Sequence, residues 1–572
     1  MSSGWLTTAL ILFPVAGALL LWVLPLRPFA VGSTALLFAL VEVGLWIDSV
    51  AQFDFSKPGL QLDQQTSWFS DLHVSYHVGF YGFSIWLVGL TTVVLAAAIG
   101  YAFWAGRERP RAYYGLMLLL TGAIVGVFVA QDLLLFYVFW EAMLVPLYVL
   151  VGVWGGAGRM RATLVFVIYT MAGSLLMLAS IIVLGLSQGT FDLVTSGTNG
   201  SDWIFLGFVA AFAVKAPLFP LHGWLPAAYR ESSPEVAAVL SGVVSKAAAY
   251  GFLRIAIAKF PGPVSDFRTP ILVLAACGLV YGSLLAFRAP DVRGVIAYSS
   301  LAQMGLITLG LFAVNDLGLN GAVLQMVNHG LISATLFLLA GGIERRTATG
   351  ELALLGGMAR GRPALATVLL TAGVIALAVP GSAAFAGEFA ILAGVFQTGW
   401  GYAVVGAVAI VLAAMYILRL ISATLFLLAG GIERRTATGE LALLGGMARG
   451  RPALATVLLT AGVIALAVPG SAAFAGEFAI LAGVFQTGWG YAVVGAVAIV
   501  LAAMYILRLI SAVLHDRVGS AVPEAALDLR PAELGVVVPL VAILLALSAW
   551  PAAITERSFV GNAANVVGRA AK

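Results

Sequence analysis

Residues 211–254 read AFAVKAPLFPLHGWLPAAYRESSPEVAAVLSGVVSKAAAYGFLR. Lys215 and Lys246 stand inside apolar runs of this stretch, and Pro217 and Pro220 follow the first lysine closely. A proline in a helix interior removes a backbone hydrogen bond and clashes with the preceding turn. A lone ionisable group at the centre of a bilayer costs on the order of 3 kcal/mol or more. A charge beside a helix breaker in an apolar span therefore points to a helix that opens onto a polar cavity, as in transporters.

The rest of the chain has the same character. Of its 572 residues, 61% are hydrophobic and 10% charged, and the mean hydropathy is +1.03. A soluble domain carries about 25% charged residues. A disordered chain, a nucleic-acid binder and a secreted disulfide scaffold are excluded, and the net charge of +4 is nearly all arginine in loops. The single cysteine, Cys277, rules out internal disulfides and cysteine-ligated iron–sulfur clusters. It is expected to be a small core residue. Of the five histidines only His222 and His329 lie in or next to apolar runs, so the paired histidines of a membrane cytochrome are missing.

Apolar runs of about 20 residues predict membrane spans. They are expected at 5–25, 29–48, 78–104, 112–130, 133–154, 162–186, 203–219, 235–258, 270–288, 293–313 and 317–343. An apolar region at 363–398 is too long for one straight span, and runs at 401–430, 452–487, 489–513 and 534–554 follow. Met1–Thr8 has no positive charge, so the first run is read as a retained span rather than a cleaved signal. Arg27, Arg107, Arg109, Arg111, Arg159, Arg161, Arg230, Arg288, Arg293, Arg345, Arg346, Arg360 and Arg362 follow odd-numbered spans. The positive-inside rule makes that side cytoplasmic. Both termini are then expected outside. The even spans end in acidic or neutral loops, Asp48–Tyr76 and Ser187–Asp202, and the second of these reads as a polar loop and nothing more.

Residues 331–423 and 420–512 are identical at a period of 420 − 331 = 89. Solenoid repeats diverge and come in three or more copies, so this is one tandem duplication. It joins two odd spans and adds two crossings, which leaves the last helix in its orientation. The domain reading is N-terminal helices over 1–110, a first unit over 111–258 and a second over 259–423. The duplicate over 420–512 and a C-terminal segment over 513–572 complete it.

Three further ionisable groups lie in apolar spans: Glu141 in LLLFYVFWEAMLVPLYVLVGVW, His329 in GAVLQMVNHGLISATLF, and Glu388, with its copy Glu477, in AVPGSAAFAGEF. Pro380 and Gly381 precede Glu388, and Pro469 is the duplicate of Pro380. A structural ion pair would explain one such group. Five groups on five spans point to a proton or ion pathway. Burial lowers a lysine's proton affinity and a nearby carboxylate raises it. Movement of Glu141 towards or away from Lys215 would therefore switch that lysine between holding and releasing a proton.

These residues carry a resemblance. FYVFWEAMLVPLYVLVGVWGG (136–156), the stretch quoted first, RGVIAYSSLAQMGL (293–306), GAVLQMVNHGLISATLFLLAGG (321–342) and VPGSAAFAGEF (379–389) resemble the antiporter-like membrane subunits of bacterial NADH-quinone oxidoreductase, respiratory complex I, of the subunit M (chain 4) type. The resemblance implies an all-α polytopic membrane protein: an antiporter-like 14-helix bundle with two inverted five-helix repeats, each holding a broken helix. The duplication would add about two spans. It implies proton translocation coupled to NADH oxidation and quinone reduction elsewhere in the complex, in a bacterial inner membrane. Glu141 would pair with Lys215, Lys246 and His329 would relay protons, and Glu388 or Glu477 would be the terminal acid. No cofactor is expected in this chain; FMN, iron–sulfur clusters and quinone would belong to partner subunits. Sister antiporter-like subunits and the lipid bilayer are the expected partners, with no nucleic acid. Gln303 stands where some relatives carry a histidine. A multi-subunit sodium/proton antiporter is the alternative that shares the glutamate and both lysines. A membrane-bound hydrogenase subunit and a purely structural anchor are weaker ones.

Overall fold

Prolines open the helices. Pro28, Pro110, Pro234, Pro261, Pro363 and Pro531 each begin one, a position where the missing N–H would lack an intrahelical partner anyway. Side chains cap others: Asp132 accepts from the N–H groups of Leu134 and Leu135, Asp291 from Gly294, and Asn315 from Gly318. The computed structural model describes residues 4–355, 358, 362–379, 381–425 and 528–559. Pro380, Pro469 and Glu477, and the spans expected at 452–487 and 489–513, lie outside the described residues.

The helices in chain order are α1 (Trp5–Val23), α2 (Pro28–Gln52), α3 (Gly82–Ala105), α4 (Pro110–Val129), α5 (Leu133–Trp154), α6 (Arg159–Gln188), α7 (Asp202–Lys215) and α8 (Leu225–Glu231). They continue with α9 (Pro234–Ile257), α10 (Pro261–Arg288), α11 (Val292–Phe312), α12 (Asp316–Thr347), α13 (Pro363–Ala376), α14 (Ala383–Thr398), α15 (Trp400–Leu425) and α16 (Pro531–Ala549). Twelve of these are long and apolar enough to cross a membrane. The other four form two broken crossings, α7 with α8 and α13 with α14.

The first copy of the repeat supplies α13, α14 and nearly all of α15, and the last helix is fastened to it. The Asp528 carboxylate accepts from the N–H groups of Ala364 and Leu365 at 2.8 and 2.9 Å. The Ala383 N–H donates to Ser548 at 2.9 Å, and Glu533 pairs with Arg346 at 2.5 Å.

Loop contacts sort the two ends of the bundle. At one end Arg107 pairs with Glu235 at 2.6 Å, Arg230 with Asp291 at 2.8 Å and Arg293 with Glu344 at 2.5 Å. At the other, the segment expected to be a loop at Asp48–Tyr76 folds largely into an antiparallel hairpin, β1 (Gln61–Phe69) with β2 (Val74–Phe80). Its second strand turns a buried face onto the bundle while the first stays largely exposed, so pairing and burial outweigh its polar composition. The Thr7 hydroxyl donates to Leu62 O at 2.6 Å, and Arg557 and Ser558 lie against Gly82. Residues 4 and 559 thus share the hairpin end, opposite the end that holds the Arg107, Arg230 and Arg293 ion pairs.

Burial is graded from the centre outwards. Every residue of Glu235–Ile257 and of Gly321–Ile343 is buried, which makes α9 and α12 the axis of the bundle. In contrast, α6 exposes Leu164, Ile168, Leu175 and Leu186, an apolar face suited to lipid. Cys277 corrects the expectation of a core position. It is exposed on α10 beside Val273, Val280, Tyr281 and Trp400, because 273, 277, 280 and 284 fall on the stripe that α10 turns outwards.

Candidate functional site

The first broken crossing ends α7 on Lys215, and a turn holding Pro217 and Pro220 leads to α8. Carbonyls freed by the break find new partners: Trp224 Nε1 donates to Val214 O and the Leu218 N–H donates to Ala213 O, both at 2.8 Å. The buried Lys215 ammonium donates to Trp140 O at 3.3 Å and lies 4.0 Å from the centre of the Trp140 ring. The expected pairing with Glu141 is not formed. Among the described residues no ion pair within 4.0 Å includes Glu141, which is half-buried one residue beyond the tryptophan. Backbone carbonyl and aromatic face occupy the lysine instead.

Lys246 sits on the central axis, in a short α-helical stretch (Ser245–Gly251) between two π-helical segments, Leu240–Val244 and Phe252–Ile257. Such segments inside helices frequently mark functional sites. Lys246 Nζ is 2.6 Å from Ser241 O, 3.3 Å from Ser245 Oγ and 2.7 Å from His329 Nδ1. His329, on α12, reaches Ser300 Oγ of α11 from Nε2 at 3.3 Å. Ser300 in turn is 2.7 Å from Ser241 Oγ, which also touches Ser333 Oγ. A fully buried lysine and histidine thus meet in a setting otherwise made of hydroxyls and one carbonyl.

The second break separates α13 from α14. Gly381 adopts a φ of +91°, a conformation that favours glycine, and Ser382 caps α14 at the Phe385 N–H. Glu388, buried on α14, accepts from Gln303 Nε2 at 2.9 Å and Gln325 Nε2 at 3.4 Å. Its second oxygen has no hydrogen-bond partner among the described residues. Gln325 also donates to Gln303 Oε1 at 2.8 Å. Gln303 therefore serves as the hydrogen-bond partner of the acid. A cavity of about 20 Å³ joins Glu388 to His329, lined also by Ser299, Gln303, Gln325 and Ser333. That volume is enough for about one water molecule.

The structure brings Lys246, His329 and Glu388 into one continuous polar region. Lys215 and Glu141 lie apart, at the first break. Other groups escaped the sequence reading. Arg254, two turns beyond Lys246 on α9, donates to Gln131 Oε1 at 3.0 Å and lies over the Tyr81 ring; its spacing of eight from Lys246 was the available signal. The loop after α6 is more than a polar loop: Asp192 is buried and bonded to His77 Nδ1 at 2.6 Å. Burial raises the Asp192 carboxyl, but the His77 hydrogen bond and those from the Thr195 and Val194 N–H groups outweigh it and hold the group below its ordinary range. Ser241, Ser300 and Ser333 carried no signal, because serines 59 and 92 residues apart meet only through helix packing. Among the described residues no cluster of three or more His, Cys, Asp or Glu could hold a metal ion.

Comparison with known proteins places this geometry. The family described as NADH:quinone oxidoreductase/Mrp antiporter, transmembrane, matches residues 130–413 and again 403–502. The chain is 38% identical over 395 residues to NADH-quinone oxidoreductase subunit M of Rhodobacter capsulatus, covering 66% of this chain and 77% of that one. It is 34% identical over 437 residues to NAD(P)H-quinone oxidoreductase chain 4 of a Picosynechococcus, covering 73% and 81%. A chain of respiratory complex I from Thermus thermophilus superposes with a TM-score of 0.75 at 26% identity, covering 98% of this chain and 100% of the other. A chain of the Mrp complex from Dietzia shares the fold at a TM-score of 0.73 and 20% identity, covering 98% and 97%. Twelve helices of membrane-spanning length among the described residues, two broken helices and these relatives lead to one conclusion: the chain belongs to the NADH:quinone oxidoreductase/Mrp antiporter family of membrane subunits, on the subunit M (chain 4) side of it.

Proposed function

We propose that this chain is the proton-translocating subunit M of an NADH-quinone oxidoreductase and that Glu141, Lys215, Lys246, His329 and Glu388 carry its protons. The observation that carries the reading is the 2.7 Å contact of Lys246 with His329 at the buried centre of the bundle. Ionisable groups buried there are costly, and such groups mark ion and proton pathways. The cavity between His329 and Glu388 continues the line towards the second break. Lys215 rests on Trp140, and Glu141 is the next residue along α5. A small rotation of α5, whose helical pattern is interrupted at Met143 ahead of Pro146, would replace the carbonyl by the carboxylate and raise the lysine's hold on its proton.

In this reading FMN, iron–sulfur clusters and quinone lie in partner subunits, sister antiporter-like subunits flank the chain, and no nucleic acid is bound. The arginine end faces the cytoplasm of a bacterial cell and both termini lie outside its inner membrane. The first unit (111–258) contains Glu141, Lys215 and Lys246, and the second (259–423) contains His329 and Glu388. The test is Lys215→Ala in the assembled complex, measured as NADH-driven proton uptake by inside-out membrane vesicles. Severe loss of uptake with the complex intact is expected. Unchanged uptake would make the chain a structural anchor. Purification without flavin and iron–sulfur subunits would move it to a sodium/proton antiporter.

A further inference from the structure

We infer that Ser300 is a positioning residue that, with Ser241 and Ser333 behind it, holds His329 as the Nε2–H tautomer, leaving Nδ1 open to the proton of Lys246. The inference rests on the proton-relay reading above and adds a residue and a direction to it.

The donors and acceptors around Lys246 can be counted. An ammonium has three N–H donors and no acceptor. Three acceptors surround Nζ: Ser241 O at 2.6 Å, Ser245 Oγ at 3.3 Å and His329 Nδ1 at 2.7 Å. Ser245 spends its own proton on Ser241 O at 2.9 Å, so its lone pair faces the lysine. A charged Lys246 is therefore fully bonded only when Nδ1 offers a lone pair, which puts the ring proton on Nε2.

The far side of the ring agrees. Nε2 faces Ser300 Oγ at 3.3 Å. Ser300 donates its proton to Ile296 O at 2.9 Å on the preceding turn of α11, a carbonyl that can only accept, which is a common use of a helical serine. Ser300 then accepts from its other neighbours. One is Ser241 at 2.7 Å, which can accept in turn from Ser333. The hydroxyl protons run one way, from Ser333 to Ser241 to Ser300 to Ile296 O. The remaining lone pair of Ser300 is left for Nε2–H. The two sides of the imidazole thus select the same tautomer by different partners.

That tautomer separates proton gain from proton loss. As a Lys246 Nζ–H bond breaks, an Nδ1–H bond forms. The Nε2–H bond breaks on the opposite side of the ring, and its proton passes to a water molecule in the cavity shared with Glu388. Lys246 is left as a neutral amine and His329 as the neutral Nδ1–H imidazole, whose ring proton must return to Nε2 before the next transfer. The opposite tautomer would present an N–H to the lysine and block the transfer.

The test reads the tautomer directly. Infrared difference spectra of the isotope-labelled histidines are recorded in the intact complex, and His329→Asn supplies the blank that assigns the bands. The wild type should show the ring stretch of the Nε2–H form. Ser300→Ala should convert it partly or wholly to the other form and slow proton uptake several-fold, and Ser300→Thr, which keeps the hydroxyl, should restore both. An Nδ1–H ring in the wild type, or a Ser300→Ala complex with an unaltered band, would overturn the inference. Failure of the relay reading itself looks different, since Lys246→Ala would then pump normally whatever the tautomer.

Discussion

The two broken crossings solve the same problem with opposite charges. At the first, Lys215 is the last residue of α7. Its ammonium sits at the negative end of a helix dipole, which favours a cation by about 0.3–1 kcal/mol, more when partly buried. Its partners are a carbonyl and an aromatic face, Trp140 for both. At the second, Glu388 stands in the second turn of α14, where the positive end of the dipole has largely faded. Two glutamine amides supply the donors that the dipole does not. The first break is aromatic, with the Glu141 carboxylate outside ion-pair distance of the lysine. The second is polar, cavity-linked and already bonded. Under the proposed proton-relay reading, the difference suits a gate at one and an acceptor at the other.

The largest expected effect lies on the axis between them. Lys246→Ala should cut NADH-driven proton uptake by on the order of tenfold or more, as general acid–base groups do when removed. Retained uptake would mean that the two breaks work without a common axis. Next, the breaks should respond differently to charge-conserving changes. Lys215→Arg should be nearly as damaging as removal, because a guanidinium stays protonated and cannot pass a proton on. Glu388→Asp should retain part of the rate. Equal behaviour of the two variants in vesicles would erase the distinction between gate and acceptor.

A smaller effect is expected at Gln303→Leu, which strips Glu388 of its 2.9 Å donor. It should slow uptake a few-fold and destabilise the subunit by about 1–3 kcal/mol, the cost of a buried polar group without its partner. Thermal melting of the purified complex checks the second number.

The smallest effect concerns the hairpin end, away from the breaks. With its carboxyl held low, mainly by the His77 bond acting against burial, Asp192 contributes stability that is present above the ordinary carboxylate range near pH 4 and lost as pH falls through the lowered value. His77→Ala should move that loss to higher pH. Hydrogen exchange of the hairpin amides at pH 3–6 would show it, with uptake at neutral pH little changed.

Much of this was legible in the residues. Lys215, Lys246, His329 and Glu388 stood out because charge inside an apolar run is rare, and Pro217, Pro220 and Gly381 marked where the helices open. Spacing along one chain does not report which side chain faces another helix. Glu141 was therefore expected against Lys215, where Trp140 stands. The serine cluster, the π-helical segments around Lys246 and the Arg254–Gln131 contact are products of packing, as is the hairpin, whose first strand has the composition of a loop. The repeat is the sharpest case. Residues 331–423 and 420–512 are identical, so no local feature distinguishes Glu388 from Glu477. Among the described residues, Asp528 and α16 are fastened to α13 and α14 of the first copy, the copy that holds Glu388.

That choice of copy is where the account is most exposed, and a pair of variants tests it. NADH-driven proton uptake is measured for Glu388→Gln and Glu477→Gln in complexes matched for subunit content. The account predicts a severe loss for Glu388→Gln and a rate close to wild type for Glu477→Gln. The reverse pattern, or normal uptake with Glu388→Gln, would contradict it and remove Glu388 from the proton path.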